Sequence, residues 1–287
     1  MKTDFGSGAG TLRSSFVAIA VLVIIAFAAR AGAQSTWPNL DCKSSVSLRY
    51  ANPSFDTDGN WNISGELINL NISGELSEGA RLIVDMPYAH YREPSSFFGG
   101  GGRTENMFGN PYLGARLSTA ASNLSCEFGF RLPLAGNEKP GAAMTGLLSD
   151  LDHMEAFISD YLPVHVGISI KSKNSEGLFA RISANQYAWF YVGDDKRVDA
   201  TEFVLHYGAI GGFENQNIRL QGGITGLSIL SEGDAFTDEA TLHQFGMELD
   251  YRLGNFWPGM HFRVPLDDEI SQTINLVWGI SITYASE

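Results

Sequence analysis

The sequence predicts an all-β protein, a transmembrane antiparallel up-and-down β-barrel of about 12 strands with one short helix in an outer loop. Three observations lead to this prediction. Apolar and polar residues alternate along many short segments, as they do where a strand faces lipid on one side and water on the other. Long and short connections alternate between these segments. Acidic residues concentrate in the long connections.

The clearest alternation lies near the end of the chain, from residue 273 to residue 284. One face of this segment carries Ile274, Leu276, Trp278, Ile280, Ile282 and Tyr284, and the other carries small polar residues and Val277. Its length suits a tilted strand that crosses a bilayer, which takes roughly 9–11 residues. We therefore predict that the aliphatic residues and the tryptophan of the first face meet lipid. Tyr284 would lie at the periplasmic aromatic girdle, and the strand would close the barrel by pairing with residues 44–51.

The N-terminus has the layout of a secretory signal peptide. Lys2 and Arg13 precede an apolar run at residues 16–29, and the Ala-Gly-Ala sequence at 31–33 offers a cleavage site. An uncleaved membrane anchor is the alternative, but the run is shorter than the roughly 20 residues of a spanning helix. We predict a signal peptide at 1–33, an N-terminal periplasmic segment at 34–43 and the barrel at 44–287.

Twelve strands are predicted, at roughly 44–51, 61–73, 79–88, 109–119, 123–133, 163–172, 176–190, 200–211, 216–229, 240–252, 256–264 and 272–284. The first, third and fifth connections are long, at 52–60, 89–108 and 134–162, and the connections between them are brief. The later half of the chain keeps this parity. Short turns on one side and longer loops on the other are typical of outer-membrane barrels, and the parity places both chain ends on the periplasmic side.

The chain is acidic, with a formal net charge of −13 at pH 7, and loss of the signal peptide would make it more so. Acidity disfavours nucleic-acid binding, which depends on Lys and Arg. We therefore expect two partners, the lipid bilayer of the outer membrane and a small-molecule solute, and no nucleic acid. The expected location is the bacterial outer membrane. The sequence leaves the oligomeric state open.

Charged side chains and histidines on the strands share the polar face. They are predicted to face the lumen, because a lipid-facing arginine at mid-bilayer costs about 2–4 kcal/mol. The predicted lumen-lining residues are Arg49, Arg81, Asp85, Arg116, Glu127, Arg131, His165, Lys171, Arg181, Glu202, His206, Arg219, Glu248, Arg252 and Arg263. Two interpretations stay open. A pore with excess cationic charge would favour anionic or polar solutes, whereas a narrow barrel filled by ion pairs would be closed.

One segment, in the third outer loop, departs from the strand pattern. Met144, Leu147, Leu148, Leu151, Met154 and Ile158 recur at steps of three and four residues, with carboxylates between them. This spacing predicts an amphipathic helix at roughly 142–161. Its acidic polar face is unsuited to an anionic lipid surface, where such helices carry Lys and Arg. We predict that the helix packs over or into the barrel mouth, either as a lid or as a simple cover of the rim.

The sequence offers little that suggests catalysis. Motifs for hydrolases, phosphate-binding loops and metal sites are absent. His165 and Ser169 share a face, but four residues of one strand separate them by more than a hydrogen bond. We therefore predict that the protein is not an enzyme, with no catalytic or metal-binding residues and no cofactor.

Two cysteines, Cys42 and Cys126, fall at the periplasmic end of the predicted barrel. An exported protein meets oxidising conditions, in which cysteines can pair. Cys126, however, shares its strand face with Leu124 and Phe128, which are predicted to point outward. Whether the two form a disulfide stays open.

Three neighbouring segments share a pattern of strands that end in proline or are rich in glycine: Arg81-Leu82-Ile83-Val84-Asp85-Met86-Pro87, Gly109-Asn110-Pro111-Tyr112-Leu113-Gly114-Ala115-Arg116 and Phe128-Gly129-Phe130-Arg131-Leu132-Pro133. Together they resemble the meta-pathway phenol-degradation family of outer-membrane transporters. In that family a strand ending in proline, a loop, a glycine-rich strand and another strand ending in proline follow one another. The resemblance implies a barrel channel for small aromatic or hydrophobic compounds. The chain departs from the usual terminal aromatic residue, since Ala285, Ser286 and Glu287 follow Tyr284.

The function predicted from these features is an outer-membrane channel for passive uptake of small compounds, including aromatic or hydrophobic ones. The first alternative is a porin for polar or anionic solutes, based on the basic residues of the lumen. The second is a structural or enzymatic barrel with a closed lumen. The third is a secreted, soluble β-protein.

Overall fold

A computed structural model describes residues 43–55, 64–95, 101–118, 123–193, 201–231 and 241–286. The predicted signal peptide and nearly all of the predicted periplasmic segment, with Cys42, lie outside these ranges. Cys126 is half-buried and forms no disulfide with any described residue, so its pairing with Cys42 stays untested.

Strands account for most of the described chain. They are β1 (Ser44–Phe55), β2 (Ser64–Ser77), β3 (Ala80–Ser95), β4 (Gly101–Phe108), β5 (Tyr112–Ser118), β6 (Leu124–Arg131), β7 (Tyr161–Lys173), β8 (Leu178–Tyr191), β9 (Thr201–Glu214), β10 (Ile218–Ile229), β11 (Thr241–Tyr251), β12 (Phe256–Pro265) and β13 (Ile274–Ser286). The helices are α1 (Pro140–Ser149), a 3₁₀ helix (Leu151–Ala156) and α2 (Asp268–Ser271). None of the described helices is long and apolar enough to cross a membrane.

The strands close into a 12-stranded antiparallel barrel, which confirms the predicted fold class. Closure is made where β1 pairs with β13 on one side and with β2 on the other. The predicted pairing of the last strand with the first is therefore also confirmed. Every backbone donor and acceptor in such a cylinder has a neighbouring strand, which is the condition for a sheet in lipid.

Two short strands, β4 and β5, lie end to end beside the long strand β3 and together act as one strand of the barrel wall. The first half of β3 pairs with β5, and its second half pairs with β4. The prediction of a loop at 89–108 was therefore wrong, because β3 continues to Ser95 and the chain returns along it as β4. Between β4 and β5 the strand is interrupted at residues 109–111. There the amide of Gly109 donates to the carbonyl of Pro87 at 2.9 Å.

The barrel is apolar outside and polar inside. Ile280 is 56% exposed and Ile182 is 69% exposed, whereas charged residues such as Arg131 and Glu127 are buried. Soluble proteins bury side chains in the opposite way. An apolar belt around the whole barrel is far larger than the patches found on soluble monomers, so the fold fits lipid and not a secreted soluble protein.

The outward face predicted for β13 is correct over most of its length. Trp278, Ile280, Ile282 and Tyr284 are exposed on the outer surface. Ile274 is fully buried, so its predicted contact with lipid was wrong. The pairing register of β1 and β13 shifts between Ser54 and Phe55, and this irregularity turns the start of β13 inward.

A turn between β2 and β3 provides a stability prediction. Gly79 has a φ of +78°, and a Cβ atom there would collide with the carbonyl oxygen of Ser118. Gly254 also has a positive φ, of +64°, but open space around its Cβ position. We expect Gly254→Ala to lower the free energy of unfolding by about 1 kcal/mol and Gly79→Ala by more than about 2 kcal/mol. Urea titration of the purified barrel measures both values, and equal losses would contradict the steric explanation.

Candidate functional site in the barrel interior

The third outer loop folds into the barrel. Its part at residues 140–158, here called the internal segment, contains α1 and the 3₁₀ helix. Helix α1 packs against β1, β2, β3 and β4, and the 3₁₀ helix packs against β10. The predicted single helix at 142–161 was too long, since α1 ends at Ser149 and β7 begins at Tyr161.

Apolar contacts hold the segment on two sides. On one side Leu148, Leu151 and Phe157 pack with Ala51, Leu67, Leu242 and Val277 of the wall. On the other side Met154 and Ile158 pack with Trp189, Val204 and Leu227. Of the predicted lid residues, Leu148, Leu151, Met154 and Ile158 are buried and Leu147 is half-buried. Met144 is 52% exposed, so it does not belong to the packed face.

The carboxylates of the segment, on the polar side of the predicted amphipathic helix, are also buried. Asp150 is bound by Nη1 of Arg263 at 2.6 Å. Glu155 accepts a hydrogen bond from Nε of Arg131 at 2.8 Å. Both arginines belong to barrel strands, so the polar side of the segment is attached to the wall by two charge-assisted contacts.

These contacts set the ionisation of the segment. Burial would raise the pKa of the Asp150 carboxyl, but Arg263 and His153 hold that pKa well below its usual range. Burial likewise opposes ionisation of Glu155, whose pKa is nevertheless lowered by Arg131. Burial would lower the pKa of His153, but Asp150 raises it to about 9. At neutral pH both carboxylates are therefore charged and His153 is a cation.

The same contacts explain why the predicted helix is broken. Asp150 lies between the two helices with a φ of −146°, outside the helical region. Its side chain accepts from Arg263 and binds Nδ1 of His153 at 2.9 Å. Asp is a weak helix former because its side chain competes for nearby hydrogen bonds. The chain therefore turns at Asp150, toward the arginine.

Asn110 anchors the other end of the segment. It lies fully buried in the break between β4 and β5. Its Nδ2 donates to the carbonyls of Glu155 at 3.1 Å and Ile158 at 2.7 Å, and its Oδ1 accepts from the amides of Leu134 at 2.8 Å and Ala135 at 2.7 Å. One amide side chain thus ties both the internal segment and the start of the third outer loop to the barrel wall.

Helix α1 is held at its N-terminus by β4. The Glu105 carboxylate accepts from the amide of Ala142 at 3.0 Å and forms an ion pair with Arg103. A carboxylate at this position satisfies a free amide and interacts favourably with the helix dipole. The hairpin of β3 and β4, which the sequence did not predict, therefore positions the start of the segment.

Beside the internal segment lies a small cavity of about 70 Å³. Its charged lining residues are Arg49, Arg116, Arg131 and Arg263 with Asp85, Glu127, Asp150, His153 and Glu155. Arg116 pairs with Glu127 at 2.9 Å, and Arg131 pairs with Asp85 at 3.0 Å. Arg49 pairs with Glu248 at 2.5 Å. The charges around the cavity thus compensate one another in pairs.

The structure places the residues predicted for the lumen as follows. Asp85, Arg116, Glu127, Arg131, His165, Arg181, His206, Arg219, Glu248 and Arg263 are buried. Arg49, Arg81, Lys171 and Glu202 are half-buried. Lys171 and Lys173 both contact Glu214, and Arg219 pairs with Asp250 at 2.8 Å. Arg252 lies in the turn after β11, where its Nε donates to the carbonyl of Gly254 at 2.8 Å. Seven residues of this set line the cavity: Arg49, Asp85, Arg116, Glu127, Arg131, His165 and Arg263.

A row of rings lies along the wall; its histidines were predicted to face the lumen, but its two tyrosines, Tyr112 and Tyr187, were not. His165 stacks on Tyr187 with ring centroids 4.6 Å apart, and Tyr187 contacts His206 at 4.5 Å. The hydroxyl of Tyr112 donates to Glu127 at 2.8 Å and lies 3.1 Å from Nδ1 of His165. The two tyrosines have the inward strand phase, but tyrosine also occurs on lipid-facing strand positions, so only charged residues and histidines marked the lumen. Among the residues that the structure describes, no group of three or more His, Cys, Asp or Glu is arranged to hold a metal ion.

A closed barrel with an apolar outer belt, a polar interior and an inward-folded outer loop has the fold of the outer-membrane β-barrels. Three solved structures share that fold. An outer membrane channel from Pseudomonas putida F1 has a TM-score of 0.59 at 12% identity and covers 88% of this chain and 98% of its own. The NanC porin has a TM-score of 0.53 at 9% identity, with coverages of 84% and 98%. The CymD monoaromatic hydrocarbon channel has a TM-score of 0.51 at 10% identity, with coverages of 86% and 89%. The sequence matches no family model and no curated protein.

Proposed function

We propose that this protein is an outer-membrane channel for passive uptake of small compounds, closed at rest by the internal segment acting as a plug. The observation that carries the proposal is the layout of the interior. A polar cavity lies behind a segment that crosses the barrel and belongs to a loop, not to the wall. A segment of this kind can leave without breaking the hydrogen-bonded sheet. Within the described residues it is held by side-chain contacts, by the Asn110 side chain and by one backbone hydrogen bond, from the amide of Asn110 to the carbonyl of Ala156 at 2.6 Å.

The proposed path is lined by the charged and aromatic side chains of the cavity. Arg49, Arg116, Arg131 and Arg263 would contact a solute passing the segment, and Tyr112 and Tyr187 add ring surfaces beside them. Such a lining suits small aromatic compounds that carry a polar substituent. The proposal is supported by the fold of two channels of similar architecture, one from Pseudomonas putida F1 and one for monoaromatic hydrocarbons. The resemblance of residues 81–133 to the phenol-degradation transporters agrees with it.

We also propose that the protein has no catalytic role. A hydrolytic barrel needs a nucleophile and a base in hydrogen-bond contact. Ser169 contacts the hydroxyl of Ser125 at 2.9 Å, and His165 contacts Tyr112. These two residues therefore have other neighbours, and neither is arranged toward the other.

Conductance in planar bilayers tests the proposal. We expect the wild-type protein to show brief openings and a variant with residues 136–159 replaced by a Gly-Ser linker to conduct continuously. Met144→Gln, on the exposed side of the segment, serves as the matched control and should behave as wild type. Folding of every variant is followed by heat-modifiable mobility in gels. A folded linker variant that does not conduct, or wild-type protein found in the aqueous fraction of cells, would contradict the proposal.

A further inference from the structure

We infer that His165, Asn185 and His206 form a binding site for an uncharged polar group of the transported solute, and that this group is a hydroxyl. These three residues are here called the polar patch. The inference rests on the proposed channel function and names the solute class of the same path, a small neutral alcohol with an apolar part. It also explains how such a solute favours the open channel.

The polar patch is compact, because its members lie on three consecutive strands around one ring. His165 of β7 and His206 of β9 flank Tyr187 of β8, with ring centroids 4.6 and 4.5 Å from that of the tyrosine. Asn185 lies two residues before Tyr187 on the same face of β8 and directly opposite His206 in the pairing register. Residues opposite each other on one face of a sheet have Cβ atoms about 5 Å apart. The amide and the imidazoles therefore reach the same small group.

The hydrogen-bonding groups of the patch are buried and unused. His165 is 3% exposed, and Asn185 and His206 are each 1% exposed. Nε2 of His165, both ring nitrogens of His206 and both amide atoms of Asn185 have no hydrogen-bond partner among the described residues. Buried polar groups are costly without partners, and native proteins leave few of them unpaired. A ligand that pairs with these atoms therefore gains affinity from each new hydrogen bond.

A chain of hydrogen bonds through Tyr112 decides which nitrogen of His165 carries the proton. Glu127 accepts from Nε and Nη2 of Arg116 at 3.2 and 2.9 Å, so it is an ionised acceptor. The Tyr112 hydroxyl donates its single hydrogen to Glu127 at 2.8 Å, so its oxygen accepts from Nδ1 of His165 at 3.1 Å. Burial disfavours a second proton on the ring. Nε2 of His165 therefore keeps its lone pair and needs a donor.

The atoms of the patch define the group that fits them. Nε2 of His165 accepts a hydrogen bond, and the Asn185 amide both donates and accepts. A hydroxyl group can donate to the first and accept from the second. An ether lacks the hydrogen for His165, and a carboxylate would find no cation among the three side chains. The patch therefore selects a neutral hydroxyl group.

In the closed state the internal segment lies against the ring at the centre of the patch. Met154 and Ile158 of the segment belong to one apolar cluster with Tyr187 and Trp189 of the wall. Apolar side chains cannot pair with the polar atoms beside Tyr187. A neutral alcohol can, with its apolar part on the rings that the segment has left. Such a solute binds the open state more tightly than the closed state and shifts the population toward it.

The test compares benzyl alcohol with benzyl methyl ether on the purified full-length protein in planar bilayers. The two probes share the ring and the oxygen, and only the alcohol has a hydrogen to donate. We expect the open probability to rise about tenfold when benzyl alcohol is present at ten times its dissociation constant for the open state. The ether at the same concentration should change it by less than about twofold, because a site built for a hydroxyl rejects an analogue without the donor.

Two variants assign this response to the patch. His165→Phe keeps a ring beside Tyr187 and removes the acceptor, and Asn185→Leu replaces the amide by an apolar side chain of similar size. Each should raise the half-maximal benzyl alcohol concentration about tenfold, as expected for one lost hydrogen bond. Gln186→Leu is the matched control, since Gln186 follows Asn185 on β8 but is exposed on the outer face. It should keep the wild-type response, and heat-modifiable mobility in gels shows that each variant is folded.

The outcomes separate the site from the channel function. If the linker variant conducts but the alcohol and the ether act alike on the wild type, the hydroxyl site is wrong and the channel function stands. The same conclusion follows if folded His165→Phe and Asn185→Leu respond as Gln186→Leu does. If the folded linker variant does not conduct, the channel function itself fails and the hydroxyl site fails with it.

Discussion

A disulfide between Gly65→Cys and Thr145→Cys is expected to hold the channel closed. Thr145 of α1 is fully buried against β2, and a Cβ atom built on Gly65 would lie 2.6 Å from its Cγ2 and 2.9 Å from its Oγ1. Two cysteine side chains at these positions are within reach of one another, as a disulfide requires. The Thr145 hydroxyl has no hydrogen-bond partner among the described residues, so its replacement removes no such contact.

The disulfide is expected to abolish channel openings almost completely. Under oxidising conditions the bond ties the N-terminal half of the internal segment to the wall, and openings should disappear. A reducing agent should restore them to the wild-type frequency. The variant is made with both native cysteines replaced by serine, and each single cysteine variant is the control, since it cannot form the bond. Unchanged openings in the fully oxidised double variant would show that the solute path does not run past α1.

Replacement of Asn110 by alanine should cause the largest loss of stability among single changes at the site. The change removes hydrogen bonds to the carbonyls of Glu155 and Ile158 and to the amides of Leu134 and Ala135. Each lost bond leaves a buried polar group less satisfied, at about 1 kcal/mol or more. We expect the free energy of unfolding to fall by about 3–5 kcal/mol.

Asn52→Ala is the matched control for this measurement. Its Nδ2 donates to the carbonyl of Gly65 at 2.9 Å in a half-buried setting, so its loss should cost about 1 kcal/mol. Urea titration of both variants gives the difference, and conductance of Asn110→Ala should show more frequent openings because the segment has lost its anchor. A loss no larger than that of Asn52→Ala would mean that the anchor contributes little.

Much of the barrel wall could be predicted because its signal is local. Along β13 each residue has its neighbours two positions away on the same face, so alternation alone separates Trp278 and Ile280 from Ser281. The prediction failed at Ile274, where an irregularity in the pairing with β1 reversed the face. That irregularity depends on the partner strand, and no pattern within β13 indicates it.

The pairing of β3 with β4 was also not predicted, because it depends on contacts with a partner strand. Four glycines, one proline and several charged residues at 89–108 are typical of a loop. The extension is stabilised by pairing with β3 and by contacts such as that of Tyr88 with Phe108, whose ring centroids are 5.1 Å apart. Glu105, which had the appearance of a solvated loop carboxylate, acts at the start of α1. Its role depends on a helix 37 residues further along the chain.

The sequence by itself determined a barrel, its strand parity and the faces of most strands, because the contrast between lipid and water acts on each side chain separately. It also revealed that an outer loop carries a helical pattern. Only the tertiary structure decided that this loop enters the barrel with its carboxylates buried. Asp150 and Arg263 are separated by 113 residues, and their attraction follows from closure of the barrel around the segment. A buried ion pair is favourable only where both partners are brought together in good geometry. No local sequence pattern predicts such a contact between residues far apart in the chain.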